Sequence, residues 1–121
     1  MRDIKFRAWD LLNSEMINAL KIDGIGIVHF HQEYNDFKLA YMQYTGLKDK
    51  NGVEIYEGDI LDSKYKVIVY FKHGSFYAKI SLLGDIKKEM LLDEWLKRRI
   101  KALVPSGIIG NIYENPELLD K

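Results

Sequence analysis

Polar and apolar residues alternate with a period of two through most of this chain. Ile4, Phe6 and Ala8 point one way and Lys5 and Arg7 the other, which predicts a half-buried strand. Trp9 falls on the side of the charges. Asp10 to Ser14 reads as a turn, Met16 to Ile22 as a return strand, and Asp23-Gly24 as its close. Gly24 to His31 is a third extended run, rich in β-branched residues. Glu33-Tyr34-Asn35-Asp36 is the next turn, and Lys38 to Tyr44 the fourth strand. Lys50-Asn51-Gly52-Val53 then places Asn-Gly at the centre of a turn. Both residues tolerate positive φ, so the spacing predicts a two-residue type I′ hairpin. Glu57-Gly58-Asp59 marks a second turn, with Ile60 and Leu61 entering another strand. Tyr65 to Phe71 is the most strand-like run; His73-Gly74-Ser75 turns it, and Phe76, Ala78 and Ile80 alternate on the way back.

One region breaks the period of two. Apolar residues at 91, 92, 95, 96, 100 and 103 recur at helical spacing and predict an amphipathic helix near residues 86–103. Asp85 is its expected cap, and Glu89 sits in an early turn. Lys97, Arg98, Arg99 and Lys101 lie where the helix dipole favours cations, and Pro105 and Gly107 end the element. Ile108 to Tyr113 gives a last strand, and Asn115-Pro116-Glu117 a short turn or helix. Many short strands and one helix favour a mainly β fold: a barrel-like or strongly curved antiparallel sheet whose helix covers an open end or a face. A segregated α+β arrangement is the alternative. With 121 residues, no repeat and no linker, residues 1–121 are expected to form a single domain.

Composition narrows the function classes. The 18 basic and 18 acidic side chains cancel, so there is no global attraction to nucleic acid or anionic membrane. The charges are unevenly placed: residues 1–60 carry a net −3 and residues 61–121 a net +3. That split would let the acidic half of one subunit meet the basic half of another. There is no cysteine, which removes disulfides, thiolate nucleophiles and zinc–thiolate sites. The start, Met1-Arg2-Asp3-Ile4-Lys5, is charged where a signal peptide would be apolar. Apolar runs fall far short of the ~20 residues of a membrane helix. A cytoplasmic location is the expectation.

Candidate chemistry is sparse. His29 and His31 would point to one side of a strand at metal-ligand spacing, with His73 or a carboxylate as a third ligand; two ordinary strand histidines are the simpler account. Asp49-Lys50-Asn51-Gly52 fails the calcium-loop spacing, because its glycine comes fourth instead of sixth. Glu54, Glu57 and Asp59 could serve acid–base chemistry, but turn and edge roles account for them more simply. No serine sits in a Gly-x-Ser-x-Gly elbow, and Gly24-x-Gly26 lacks the setting of a dinucleotide loop. No catalytic residue, metal or cofactor is therefore assigned. The one basic concentration is Lys97, Arg98, Arg99 and Lys101 beside Trp95, with Lys87 and Lys88 nearby, a candidate contact for nucleic acid or a protein partner.

Three segments together resemble the YopX family of phage and prophage proteins. They are Arg2-Asp3-Ile4-Lys5-Phe6-Arg7-Ala8-Trp9-Asp10, the run from Met42 to Ile60 (MQYTGLKDKNGVEIYEGDI), and Gly110 to Leu119 (GNIYENPELL). The middle run is the most specific; Asn13 to Tyr34 and Ser63 to Pro105 match less distinctly. The resemblance implies a protein encoded by a bacteriophage or prophage and acting inside the bacterial host cell. It also implies a mainly β, barrel-like fold and makes self-association plausible. It carries over no reaction and no catalytic residues. Within the motifs, Gly46, Gly52 and Gly58 suit turns where a side chain would clash. Asp49 and Asp59 suit turn hydrogen bonding, Asn51 is part of the same turn motif, and Tyr44, Tyr56 and Tyr113 can pack a ring while wetting the hydroxyl.

The leading expectation is a non-enzymatic phage accessory protein working through protein contacts, as a homo-oligomer or with a phage or host protein. A nucleic-acid-binding accessory using the basic helix end is the alternative, and a metal-dependent enzyme the third.

Overall fold

The computed structural model describes residues 4–22, 28–29, 39–62, 65–82 and 86–119. Among these lie ten strands: β1 Lys5–Asp10, β2 Glu15–Ile22, β3 Val28–His29, β4 Leu39–Lys48, β5 Glu54–Tyr56, β6 Asp59–Leu61, β7 Val67–Lys72, β8 Ser75–Leu82, β9 Ile86–Leu91 and β10 Ile108–Asn111. One α-helix, α1, spans Leu92–Lys101, and a 3-10 turn spans Pro116–Leu119. The turns expected around residues 23–24 and 33–36 lie outside the described residues.

The strands form two antiparallel sheets, ordered β3-β2-β1-β4-β5 and β10-β6-β7-β8-β9. They curl into a half-barrel, so the chain is mainly β with one α-helix. The two sheets join at the corner between β5 and β6. There the Glu57 amide donates to Gln43 O of β4 at 3.0 Å, and the Gly58 amide to Val69 O of β7 at 2.8 Å. One dipeptide thus belongs to both ladders. Gly58 has φ +85°, and a Cβ there would meet Met42 Sδ at 3.2 Å; only glycine makes this corner without strain.

The larger core lies between the second sheet and α1. Ile55, Leu61, Val67, Val69, Phe76, Ala78 and Ile80 are buried there together with Leu92 and Trp95 of the helix. A ten-residue helix is marginal alone, so this buried stripe is what holds α1. A smaller cluster sits in the first sheet, with Ala8 and Leu39 buried and Phe6 and Ile17 packed on them.

The helix is shorter than its apolar periodicity predicts. Residues 86–91 form β9 and pair with β8, with Ile80 opposite Lys88 and Ala78 opposite Met90. Ile86 and Met90, four apart, fit a helix face and equally fit alternate positions of a strand, and the open edge of β8 decides between them. The expected cap, Asp85, lies outside the described residues; α1 starts after Leu91, which makes no side-chain cap bond.

The far end of α1 carries strain. The Leu103 amide donates to Ile100 O at 2.9 Å and the Val104 amide to Arg99 O at 2.9 Å, the paired bonds of a Schellman ending. The left-handed residue of that motif is usually glycine; here it is Leu103, at φ 62° and 88% exposed. A Cβ in that conformation costs about 1–2 kcal/mol, and glycine loses about 0.5–1 kcal/mol more entropy on folding. Leu103→Gly should therefore stabilise the protein by roughly 0.5–1 kcal/mol net, read as a higher urea midpoint at unchanged slope.

Candidate functional site

The face of β1 that alternation assigns to solvent is covered. Lys5, Arg7 and Trp9 point across the β5–β6 corner. Lys5 Nζ pairs with Glu54, and Arg7 Nη2 donates to Asp59 Oδ1 at 2.7 Å and to Glu57 O at 3.2 Å. The guanidinium lies 4.8 Å from the Tyr56 ring centroid. Trp9 stacks on Tyr113, with centroids 6.0 Å apart and planes 18° from parallel. N-terminal, central and C-terminal segments thus meet along one seam. Periodicity missed Arg7 as a buried residue; the one available signal was Trp9, an aromatic on the supposedly wet side.

Asp59 is the deepest polar group of the seam, at 1% exposure. Its other oxygen accepts the Tyr56 amide at 2.8 Å, the turn bond expected of it. Burial pushes its carboxyl above the ordinary aspartate value, with Arg7 and the Tyr56 amide opposing. Burial likewise raises the Tyr56 phenol, helped by the charge of Glu54. Glu57 Oε1 accepts the Gln43 amide at 2.9 Å. Glu54, Glu57 and Asp59 therefore each hold a different neighbour and do not converge as an acid–base pair.

Asp49 organises a second junction. Its Oδ1 accepts the amides of Asn51 at 2.8 Å and Val53 at 2.9 Å, and its Oδ2 accepts the Ile108 amide of β10 at 2.9 Å. Burial works against its charge, but the three amides, with Lys50, outweigh it and hold its pKa below the usual value. The turn at Asn51-Gly52 forms, but its type differs from the type I′ reading. The Gly52 amide donates to Asp49 O at 3.0 Å and the Asp49 amide to Val53 O at 2.9 Å. Of the two central residues only Gly52 has positive φ. This is a three-residue loop with a glycine bulge; Asp49 selects it by holding both amides that bracket the bulge. Gly46, Gly52 and Gly58 all have positive φ.

A third polar knot closes the C-terminal segment. Asn111 Oδ1 accepts the amides of Tyr113 at 3.0 Å and Glu114 at 2.8 Å, while the Asn111 amide donates to Asn115 Oδ1 at 3.1 Å.

The basic helix end is partly built into the core. Trp95 is 7% exposed, and its Nε1 donates to Ser106 Oγ at 3.0 Å, which donates to Asp62 Oδ2 at 2.8 Å. Arg99 lies 5.3 Å from both the Trp95 and Tyr65 ring centroids, its Nε 3.5 Å from Asp62 Oδ2. Trp95 therefore offers no open face for a stacked base. Lys97 pairs with Asp93 at 3.1 Å and Arg98 with Glu94 at 3.6 Å, both one helical turn apart and exposed. Lys101 is exposed. Among the described acidic residues of 1–60, Asp10, Asp49 and Asp59 are buried, and Glu54 and Glu57 are bonded.

His29 is on β3, but its side chain, like all of His31, lies outside the described residues. Among the described residues no three His, Asp or Glu side chains group as metal ligands, and no helix is long and apolar enough to cross a membrane.

Among the described residues, three cavities flank these features. One of about 480 Å³ opens at the start of α1, between Thr45, Leu47, Phe76 and Asp93. Another, about 470 Å³, lies beside Lys50, Asp62, Arg99, Val104 and Ile109. A groove of about 200 Å³ runs between α1 and β9, with Lys88, Met90, Arg98 and Arg99 in its wall.

The family model described as YopX protein matches residues 5–120. Among solved structures, protein EF1440 from Enterococcus faecalis is similar at 29% identity and a TM-score of 0.60; the match covers 99% of this chain and 100% of that one. No curated protein matches the chain.

Proposed function

Because the chain belongs to the YopX family, we propose that it is a phage or prophage accessory protein, acting in the bacterial cytoplasm through protein contacts, self-association included, and not by catalysis. The phage assignment rests on the family. The contact reading rests on one surface. Ile100 (63% exposed), Leu103 (88%), Val104 and Ile109 are exposed apolar side chains in and just after the last turn of α1 and on β10, and we read them as one apolar ridge. Val104 and Ile109 share the wall of one cavity. Leu103 keeps its side chain in water at a backbone position where glycine would be more stable, and a strained, exposed apolar residue is more readily explained by a contact than by stability. Of the possible partners, a second copy fits. An isologous contact sets the ridge against itself, and the nearby cations Lys97, Arg98 and Arg99 already have carboxylates beside them, which limits their repulsion. The non-catalytic reading is supported by the motif carboxylates, each engaged in holding backbone or an opposite charge.

Sedimentation velocity over a concentration series should give a species heavier than the 14.2 kDa monomer. Ile100→Glu with Leu103→Glu should return it to monomer, with the unfolding free energy changed by no more than about 0.5 kcal/mol. A wild-type protein that stays monomeric at high concentration would rule out self-association.

A further inference from the structure

Of the three cavities, only the groove between α1 and the β8–β9 pair has several cations and no carboxylate in its wall. Lys88 of β9 faces Arg98 and Arg99 of α1 across it, above Tyr65, Ile80 and Met90. The basic residues expected to act together are thereby divided. Arg98 and Arg99 line the groove with Lys88, while Lys97 and Lys101, four apart and together on another face of α1, do not.

We propose that this groove binds a phosphate ester, its phosphate held by Lys88, Arg98 and Arg99 and its organic part resting on Tyr65 and Met90. The three cations supply charge-assisted donors to one anion. Arg99 is pre-positioned: its guanidinium lies over Tyr65 and Trp95, Asp62 flanks Nε, and Nε is buried with no hydrogen-bond partner. A planar guanidinium held in this way loses little freedom when it meets a phosphate. The Arg98–Glu94 pair is exposed and long, at 3.6 Å, so it yields to a stronger acceptor at small cost. The groove's 200 Å³ is smaller than the ~300 Å³ at which drug-sized ligand sites begin. It suits one phosphate with its sugar, whether from a mononucleotide or from one position of a nucleic-acid strand. The groove shares no wall residue with the apolar ridge, but Arg98 and Arg99 border both, so binding is measured at a concentration where sedimentation shows a single species.

The full chain would be titrated with inorganic phosphate and adenosine monophosphate by calorimetry, and with a fluorescent single-stranded deoxythymidine oligomer by anisotropy, at low salt. Lys88→Ala with Arg98→Ala should weaken binding about tenfold or more. Lys97→Ala with Lys101→Ala removes the same charge outside the groove and should change it less than about threefold. All four side chains are exposed, so folding is expected to survive and is checked by circular dichroism. A gain in affinity with strand length, together with a steep salt dependence, assigns the ligand to nucleic acid; equal affinity for the mononucleotide assigns it to small esters. Equal losses in both double variants, no loss in either, or no binding to any of the three probes would overturn the site.

Discussion

Replacing Arg7 by alanine is expected to cost about 3–5 kcal/mol of stability at neutral pH. The change leaves Asp59, 1% exposed, with a buried charge and the Tyr56 amide as its remaining hydrogen-bond donor. It also uncovers Glu57 O and the face of the Tyr56 ring that the guanidinium packs on. The pH dependence follows from Asp59. Its folded pKa is already raised, chiefly by burial, and removing Arg7 takes away the strongest opposing influence. A carboxyl with a raised folded pKa penalises the native state as pH climbs from the unfolded value, near 3.8, up to the folded one. The deficit of Arg7→Ala should therefore be largest at about pH 7 and shrink at an acidic pH below the raised folded value, where Asp59 takes up a proton. Urea unfolding at the two pH values measures it. A paired Arg7→Met, Asp59→Leu variant should lose less than either single replacement, because no uncompensated charge is left behind. Single losses below about 1 kcal/mol would mean that the seam is not a structural joint.

Asp49→Ala carries the second large effect, about 3 kcal/mol or more, since three amides lose a charged acceptor together. Two of them shape the Lys50–Gly52 loop, and the third belongs to Ile108 on β10, so one substitution loosens a hairpin and detaches an edge strand. The sign with pH is opposite to that of Asp59. The folded pKa of Asp49 is lowered, because the amides outweigh the burial that opposes them. Its contribution is therefore present above the unfolded value of 3.8 and is lost as pH falls through the folded one. The variant should be weaker than wild type at about pH 7, with the gap closing as pH falls below 3.8 and through the lowered folded value. Hydrogen exchange at Ile108 gives a local check: that amide should become the most accelerated in β10. Unchanged protection there would separate Asp49 from the β10 junction.

Much of the local structure is legible in the sequence. The strands at 5–10, 15–22, 39–48, 67–72 and 75–82 follow from a period of two, because a sheet with one covered face sorts its residues by side. The helix follows from Leu92, Trp95, Leu96 and Ile100 at a period near 3.6, and the polar turns from residues that bond their own backbone. The errors have local causes. Ile86 and Met90 satisfy both periods, so the boundary between β9 and α1 waits on which neighbour is available. Asn-Gly allows a two- or a three-residue loop, and the choice falls to Asp49, a few residues upstream.

The family motifs are legible as patterns, but their purpose is not. Arg7 and Asp59 are 52 residues apart, and no local period says that a charged strand face will be buried by a distant corner. The same holds for the phosphate groove: Lys88 is on a strand, Arg98 and Arg99 on a helix, and only the turn of the chain at Leu91 sets them face to face.

By itself, the sequence determined that this chain would make a curved β structure with one amphipathic helix, because periodicity and turn chemistry act over a few residues. Only the tertiary structure decided which charges are buried joints and which are available at the surface. Burial is a property of what packs against a side chain, and that packing is set by residues far away along the chain.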